Sequence, residues 1–105
     1  MTYEQALEKI KENWSKLPMV KIMDHEAVWM IESDTADSYE VDEERIGMKK
    51  DGTLIWAYAS GCSCWEGDYD IHEFHDPKEI KVFSFQHAQV KESWQESIIK
   101  FAEAI

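Results

Sequence analysis

Basic residues are scarce: 11 Lys and Arg face 22 Asp and Glu, leaving a formal charge of −11. Nucleic-acid phosphates are held by clustered Lys and Arg, so the balance argues against direct nucleic-acid binding. No apolar run approaches the roughly 18 residues of a membrane span. The N-terminus shows no basic stretch leading into an apolar one, so neither export nor membrane insertion is expected, and the reading is cytoplasmic. Two cysteines are too few for a disulfide scaffold and, in a reducing compartment, are expected as free thiols. Only two prolines and four glycines are present, with no linker, repeat or low-complexity tract. Gly47, Gly52, Gly61 and Gly67 are scattered, which excludes a phosphate-cradling glycine loop.

What remains is apolar and acidic. At 105 residues, with 44% hydrophobic and 12% aromatic residues, the chain suffices for one domain (residues 1–105) with a modest core. Five tryptophans are expected mainly as core filler, with a minority on a binding surface, where tryptophan is enriched. Strong acidity serves solubility, and it also suits a partner with a basic protein surface, one that ordinarily receives nucleic acid.

Thr2 followed by Gln5 reads as a capping box. Tyr3, Ala6, Leu7, Ile10, Trp14 and Leu17 then recur on one helical stripe until Pro18, so the spacing predicts a helix over residues 2–16. Val20–Met23 and Ala27–Glu32 read as strand material interrupted at Asp24-His25-Glu26. The stretch from Glu32 to Glu44 holds seven acids and no base, and Glu32–Ser38 reads as a solvated loop. Lys50-Asp51-Gly52 between Arg45–Lys49 and Thr53–Ser60 is a hairpin signal, since both Asp and Gly tolerate positive φ. Leu54, Trp56 and Tyr58 alternate with Ile55, Ala57 and Ala59; both faces are apolar, so this strand is expected to be central and covered on both sides. Tyr69–Phe74 and Ile80–Phe85 read as further strands. Trp94, Ile98, Phe101, Ala102 and Ile105 mark a C-terminal helix, with Ser93 and Glu96 as one capping option and an earlier start as the other. The fold class is therefore α+β: an antiparallel sheet of four to five strands packed by an N-terminal and a C-terminal helix.

Chemistry-bearing residues concentrate between Tyr58 and His75. Cys62, Cys64, His72 and His75 supply two thiolates and two imidazoles, a donor set suited to tetrahedral zinc. Their spacing works against it: Cys-x-Cys is tighter than usual, and His72 and His75 point to opposite faces of a regular strand. The default is small, partly buried thiols with no cofactor. Redox chemistry is disfavoured by the strained Cys-x-Cys geometry and by surrounding acids, which raise thiol pKa. Glu66, Asp68, Asp70 and His72 alternate onto one face of an extended chain, where they would bind Mg²⁺ or Ca²⁺, perform acid–base chemistry, or simply line a polar surface. Asp34–Glu44 lacks the spacing and glycine of a calcium loop. His25 and His87 are isolated, and no nucleophile elbow surrounds Ser60 or Ser63. The case for an enzyme is thin.

Tyr58-Ala59-Ser60-Gly61-Cys62-Ser63-Cys64-Trp65-Glu66-Gly67, followed by an acidic, aromatic strand, resembles a segment of small phage and bacterial proteins without an assigned activity. It covers about a sixth of the chain. The resemblance implies a setting, a cytoplasmic protein of phage or mobile-element type, and a working surface at the glycine–cysteine turn and Trp65.

The leading expectation is a non-catalytic binding protein that engages a basic partner through Asp37, Glu40, Asp42, Trp65, Glu66, Asp68 and Asp70. The alternatives are a small-molecule or metal-binding module centred on Cys62–His75, and a hydrolase using Asp68, Asp70 and His72. Surplus aromatics would equally suit a homodimer interface.

Overall fold

The computed structural model describes residues 1–34, 40–62, 69–74 and 88–105. Helix α1 (Tyr3–Glu12) begins with the expected capping box: the Thr2 hydroxyl accepts the Gln5 N–H at 3.1 Å, and the Gln5 side-chain oxygen accepts the Thr2 N–H at 2.9 Å. The helix stops earlier than its apolar stripe predicts. The Asn13 side-chain amide donates to the Lys9 carbonyl at 2.8 Å, and a 3-10 turn over Trp14–Lys16 takes over. That turn delivers Trp14 into the core, where its indole N–H donates to the Met48 carbonyl at 2.7 Å.

The sheet comprises β1 (Val20–Ile22), β2 (His25–Asp34), β3 (Glu40–Met48), β4 (Leu54–Cys62) and β5 (Asp70–Phe74), followed by helix α2 (Ala88–Glu103). All neighbours are antiparallel and lie in chain order, β1-β2-β3-β4-β5. The α+β expectation holds, with five strands among the described residues and an N-terminal and a C-terminal helix. The Ile80–Phe85 strand expectation lies outside the described residues.

Two local expectations are corrected. The first turn sits at Met23-Asp24, so His25 and Glu26 open β2 and pair with Ile22 and Lys21. Met23 takes φ 55, a left-handed conformation unusual for a long side chain. The acidic stretch is not a loop at Glu32–Asp34: β2 runs through it, and β3 starts at Glu40. Pairing overrides composition there, because Glu32 meets Arg45 across the strands in a 2.6 Å ion pair.

The β3–β4 turn forms where Asp-Gly predicts it, although only Gly52 adopts positive φ, at 92°. Gly52 N–H donates to the Lys49 carbonyl at 2.9 Å, and Asp51 accepts the Thr53 N–H at 2.9 Å. These Thr53 bonds hold the Asp51 carboxyl below the usual range.

β4 is covered on both faces, as its alternation predicts. Leu54 and Trp56 join Val28, Met30, Ile46, Met48 and Phe74 beneath Ala6, Ile10, Trp14, Trp94, Ile98 and Ala102 of the helical layer. On the opposite face Ile55 and Ala57 pack with Ala27 and Trp29. β2 changes phase between them. A bulge lies between Trp29, which pairs with Gly47, and Ile31, which pairs with Ile46. Met30 and Ile31 therefore both pack with the helix-side core, and Glu32 emerges on the other face beside Arg45. Four of the five tryptophans are buried, and the fifth, Trp65, lies outside the described residues.

Tyr3 packs edge-on against Trp94 (centroids 5.5 Å, 87°), and Trp94 edge-on against Phe74 (6.4 Å, 89°). The Tyr3 hydroxyl is buried with no hydrogen-bond partner among the described residues. Burial, followed by the nearby Glu4 charge, raises this phenol well above its usual 10.0. A raised acid contributes stability below the unfolded value and loses it as pH climbs through the folded one, so the loss begins above about pH 10. Tyr3→Phe should match the parent within about 0.5 kcal/mol at pH 7. It should then lose less melting temperature between pH 9 and pH 11; equal alkaline losses in the two proteins would exclude Tyr3 as a source.

Candidate functional site

Register places three rows across β3, β4 and β5 on the helix-facing side: Glu44–Tyr58–Asp70, Ile46–Trp56–His72 and Met48–Leu54–Phe74. The last is apolar, the middle one mixed, and the first carries two carboxylates flanking a phenol. Trp56 stacks on Tyr58 at 5.7 Å and 19°, and His72 stacks on Trp56 at 5.3 Å and 23°. A ladder of three rings thus runs diagonally from the acidic row toward β5.

Glu44 has no exposed surface. Sequence reading grouped it with the surface acids, yet its position was legible: Glu44, Ile46 and Met48 recur every second residue, which puts all three on the core face. A buried carboxylate must be satisfied locally, because desolvating a charge costs several kcal/mol. Asp70 and His72 are exposed on β5.

The opposite face carries a second polar group. The Tyr69 hydroxyl donates to Glu43 at 2.5 Å, while Arg45 bonds Glu32 at 2.6 Å and approaches Glu43 at 3.7 Å. Burial and then the Glu43 bond raise the Tyr69 phenol. The Tyr69 backbone N–H donates to the Met23 sulfur at 3.5 Å, tying the start of β5 to the β1–β2 turn. At the other end of the sheet Lys49 meets Glu73 at 2.8 Å. That bond raises Lys49 and lowers Glu73, but Lys49 is half-exposed and Glu73 exposed, so the pair orients the strand end more than it stabilises it.

The expected site residues divide accordingly. Asp70 and His72 share a face, as strand alternation predicts, and are joined there by Trp56, Tyr58 and Glu44. Glu40 and Asp42 lie in β3, opposite Cys62 and Ser60 of β4. Asp37, Cys64, Trp65, Glu66, Asp68 and His75 lie outside the described residues. Of the zinc set, His72 stacks on Trp56 and Cys62 ends β4. Among the described residues no three His, Cys, Asp or Glu are grouped to hold a metal, and none of the helices is long and apolar enough to cross a membrane.

Carboxylates beside aromatic faces attract cations, by charge and by the ring quadrupole. That is binding chemistry. Compared with known protein families, curated proteins and solved structures, the chain matches none of them.

Proposed function

We propose that this protein is a non-catalytic binding protein that presents an acidic face to a basic protein surface in the cytoplasm. The observation that supports it most directly is the register of the β2–β3 hairpin. Asp34 is the register partner of Glu43, and Glu40 and Asp42 lie on the same strand as Glu43, so the hairpin gathers acids along its length. Ion pairs among the described residues engage Glu32, Glu43 and Glu73, in a chain with 22 acids and 11 bases. In the phage-like setting implied by the Tyr58–Gly67 resemblance, the partner is a host nucleic-acid-handling or defence protein, with Trp65 as its apolar anchor.

The test is capture from host extract on immobilised protein, followed by affinity measurement on the partner recovered. Raising NaCl from about 50 to 250 mM should weaken binding by about tenfold or more. Binding that ignores salt would refute the electrostatic reading. A second reading, a small-ligand module, is favoured by Asp70 and His72 sharing a face with Trp56 and Tyr58. It separates cleanly in the same assay, because binding would persist in salt and fail in His72→Ala.

A further inference from the structure

Among the described residues β1 is the terminal strand of the sheet and pairs on one side only, with β2. The Ile22–His25 pair closes the two-residue turn and so exchanges both of its backbone bonds there. The N–H and C=O of Lys21, one residue back, therefore point to the open side. Apolar side chains surround this edge. Met19 is 43% exposed, Val20 51% and Met23 50%, and Ile22 is half-buried beside them. Three of the five large apolar side chains exposed among the described residues thus fall within five positions, which makes a patch of them rather than scatter. The edge is also held in place. The Val20 carbonyl accepts the Trp29 indole N–H at 3.0 Å, and the Met23 sulfur accepts the Tyr69 N–H at 3.5 Å.

Its charge runs against that of the chain. Asn13 to Met23 contains Lys16 and Lys21 and no acid, in a sequence with 22 acids. Lys21 is exposed, and no carboxylate of the described residues lies within ion-pair range of its amine, its register partner Glu26 included. The adjoining groove sets Lys21, Lys49 and Lys50 against Asp24, Glu26 and Asp51, so an incoming acid meets no excess of like charge there.

We infer that the open edge of β1 is a docking site for an extended segment of another protein, added antiparallel as a further strand. The segment carries an acidic residue opposite Lys21 and apolar residues on either side of it, opposite Val20 and Ile22. Backbone bonds to Lys21 supply affinity, and the alternating side chains supply specificity. β2 already meets β1 with this pattern, setting Glu26 opposite Lys21 and Ala27 opposite Val20. A lysine on an edge ordinarily discourages pairing, but an acid directly opposite turns the same charge into an attraction. A second copy of β1 fits poorly, because antiparallel addition through the outward-facing Lys21 sets that lysine against its own copy. The site lies at the other end of β2 from Asp34 and takes a partner of the opposite chemistry to the acidic face.

The probe is an acetylated, amidated heptapeptide with valine at its odd positions, glutamate at its centre and threonine at the remaining two. It is titrated into ¹⁵N-labelled full-length protein at low salt. Amide shifts should centre on Met19 to Met23. Replacing the peptide's glutamate by lysine should raise Kd by about tenfold or more, and Lys21→Glu in the protein should reverse that preference. Methylating the glutamate's backbone nitrogen removes the N–H offered to the Lys21 carbonyl, and should raise Kd by about tenfold as well. A thermal melt checks that the Lys21→Glu protein is folded. Shifts centred elsewhere, no binding by the parent protein, or affinity indifferent to the glutamate's charge would overturn the site. Affinity indifferent to the methyl group would overturn strand addition. A dimer in sedimentation without peptide, with amide shifts on dilution centred on β1, would give the edge to a second copy and overturn the proposal.

Discussion

Gly47→Ala should destabilise the protein by about 3 kcal/mol, at the upper end of the cost of overpacking a dense interior. A Cβ at this position would stand 2.7 Å from Trp29 Cε3, closer than any side chain tolerates. Trp29 has little room to retreat. It is Gly47's direct cross-strand partner, and its indole N–H is fixed on the Val20 carbonyl at 3.0 Å. Relief requires breaking that bond, which supplements the β1–β2 ladder, or bending β3 at its pairing with β4. Urea denaturation followed by tryptophan emission would measure the loss. In a Trp29→Phe background, which shortens the ring system and removes the hydrogen bond, the same alanine should cost only about 1 kcal/mol. Equal costs in both backgrounds would show that the obstacle is not the indole.

Phe74→Ala should cost about 4 kcal/mol, within the range for removing a fully buried aromatic side chain. For a domain of this size that is a fall of roughly 15 °C or more in Tm. Phe74 is the buried side chain of β5, ending the row from Met48 through Leu54 and meeting Trp94 of α2 edge-on. Its removal loosens strand and helix together. Total stability for such domains is about 5–15 kcal/mol, so one truncation takes a large share. Amide exchange should accelerate first at Ile71, His72 and Glu73. A loss under about 1 kcal/mol would mean that β5 is held chiefly by its ladder to β4.

Much of this architecture was legible in local pattern. The capping box at Thr2, the two-sided apolar alternation of residues 54–59 and the Asp-Gly turn each report a short-range physical requirement, and each requirement is met. The failures have separate causes. Glu32–Asp34 has loop composition but strand structure because its partner, Arg45, is remote in sequence. The bulge at Met30 left no signal, since Trp29, Met30 and Ile31 are all apolar and disclose no change of phase. Glu44 looked like one more surface acid until its spacing from Ile46 and Met48 was weighed against its charge. At the candidate site, strand alternation joined Asp70 to His72, but the cross-strand additions of Trp56, Tyr58 and Glu44 depend on register, which periodicity within one strand does not encode.

The chain-order sheet also bears on how the molecule is made. Each described strand after β1 pairs with the strand before it, so each pairing closes over a short span, and the sheet can be added to stepwise as the chain leaves the ribosome. The helical layer obeys a different clock. α1 packs against α2, which lies at the other end of the sequence. Until α2 arrives, the apolar face formed by Val28, Ile46, Leu54 and Trp56 has, among the described residues, the α1 segment and its following turn to shelter it. The contact between α1 and α2 therefore closes only once both ends of the described chain are present, and before that this acidic chain has its own charge to keep it apart from its neighbours.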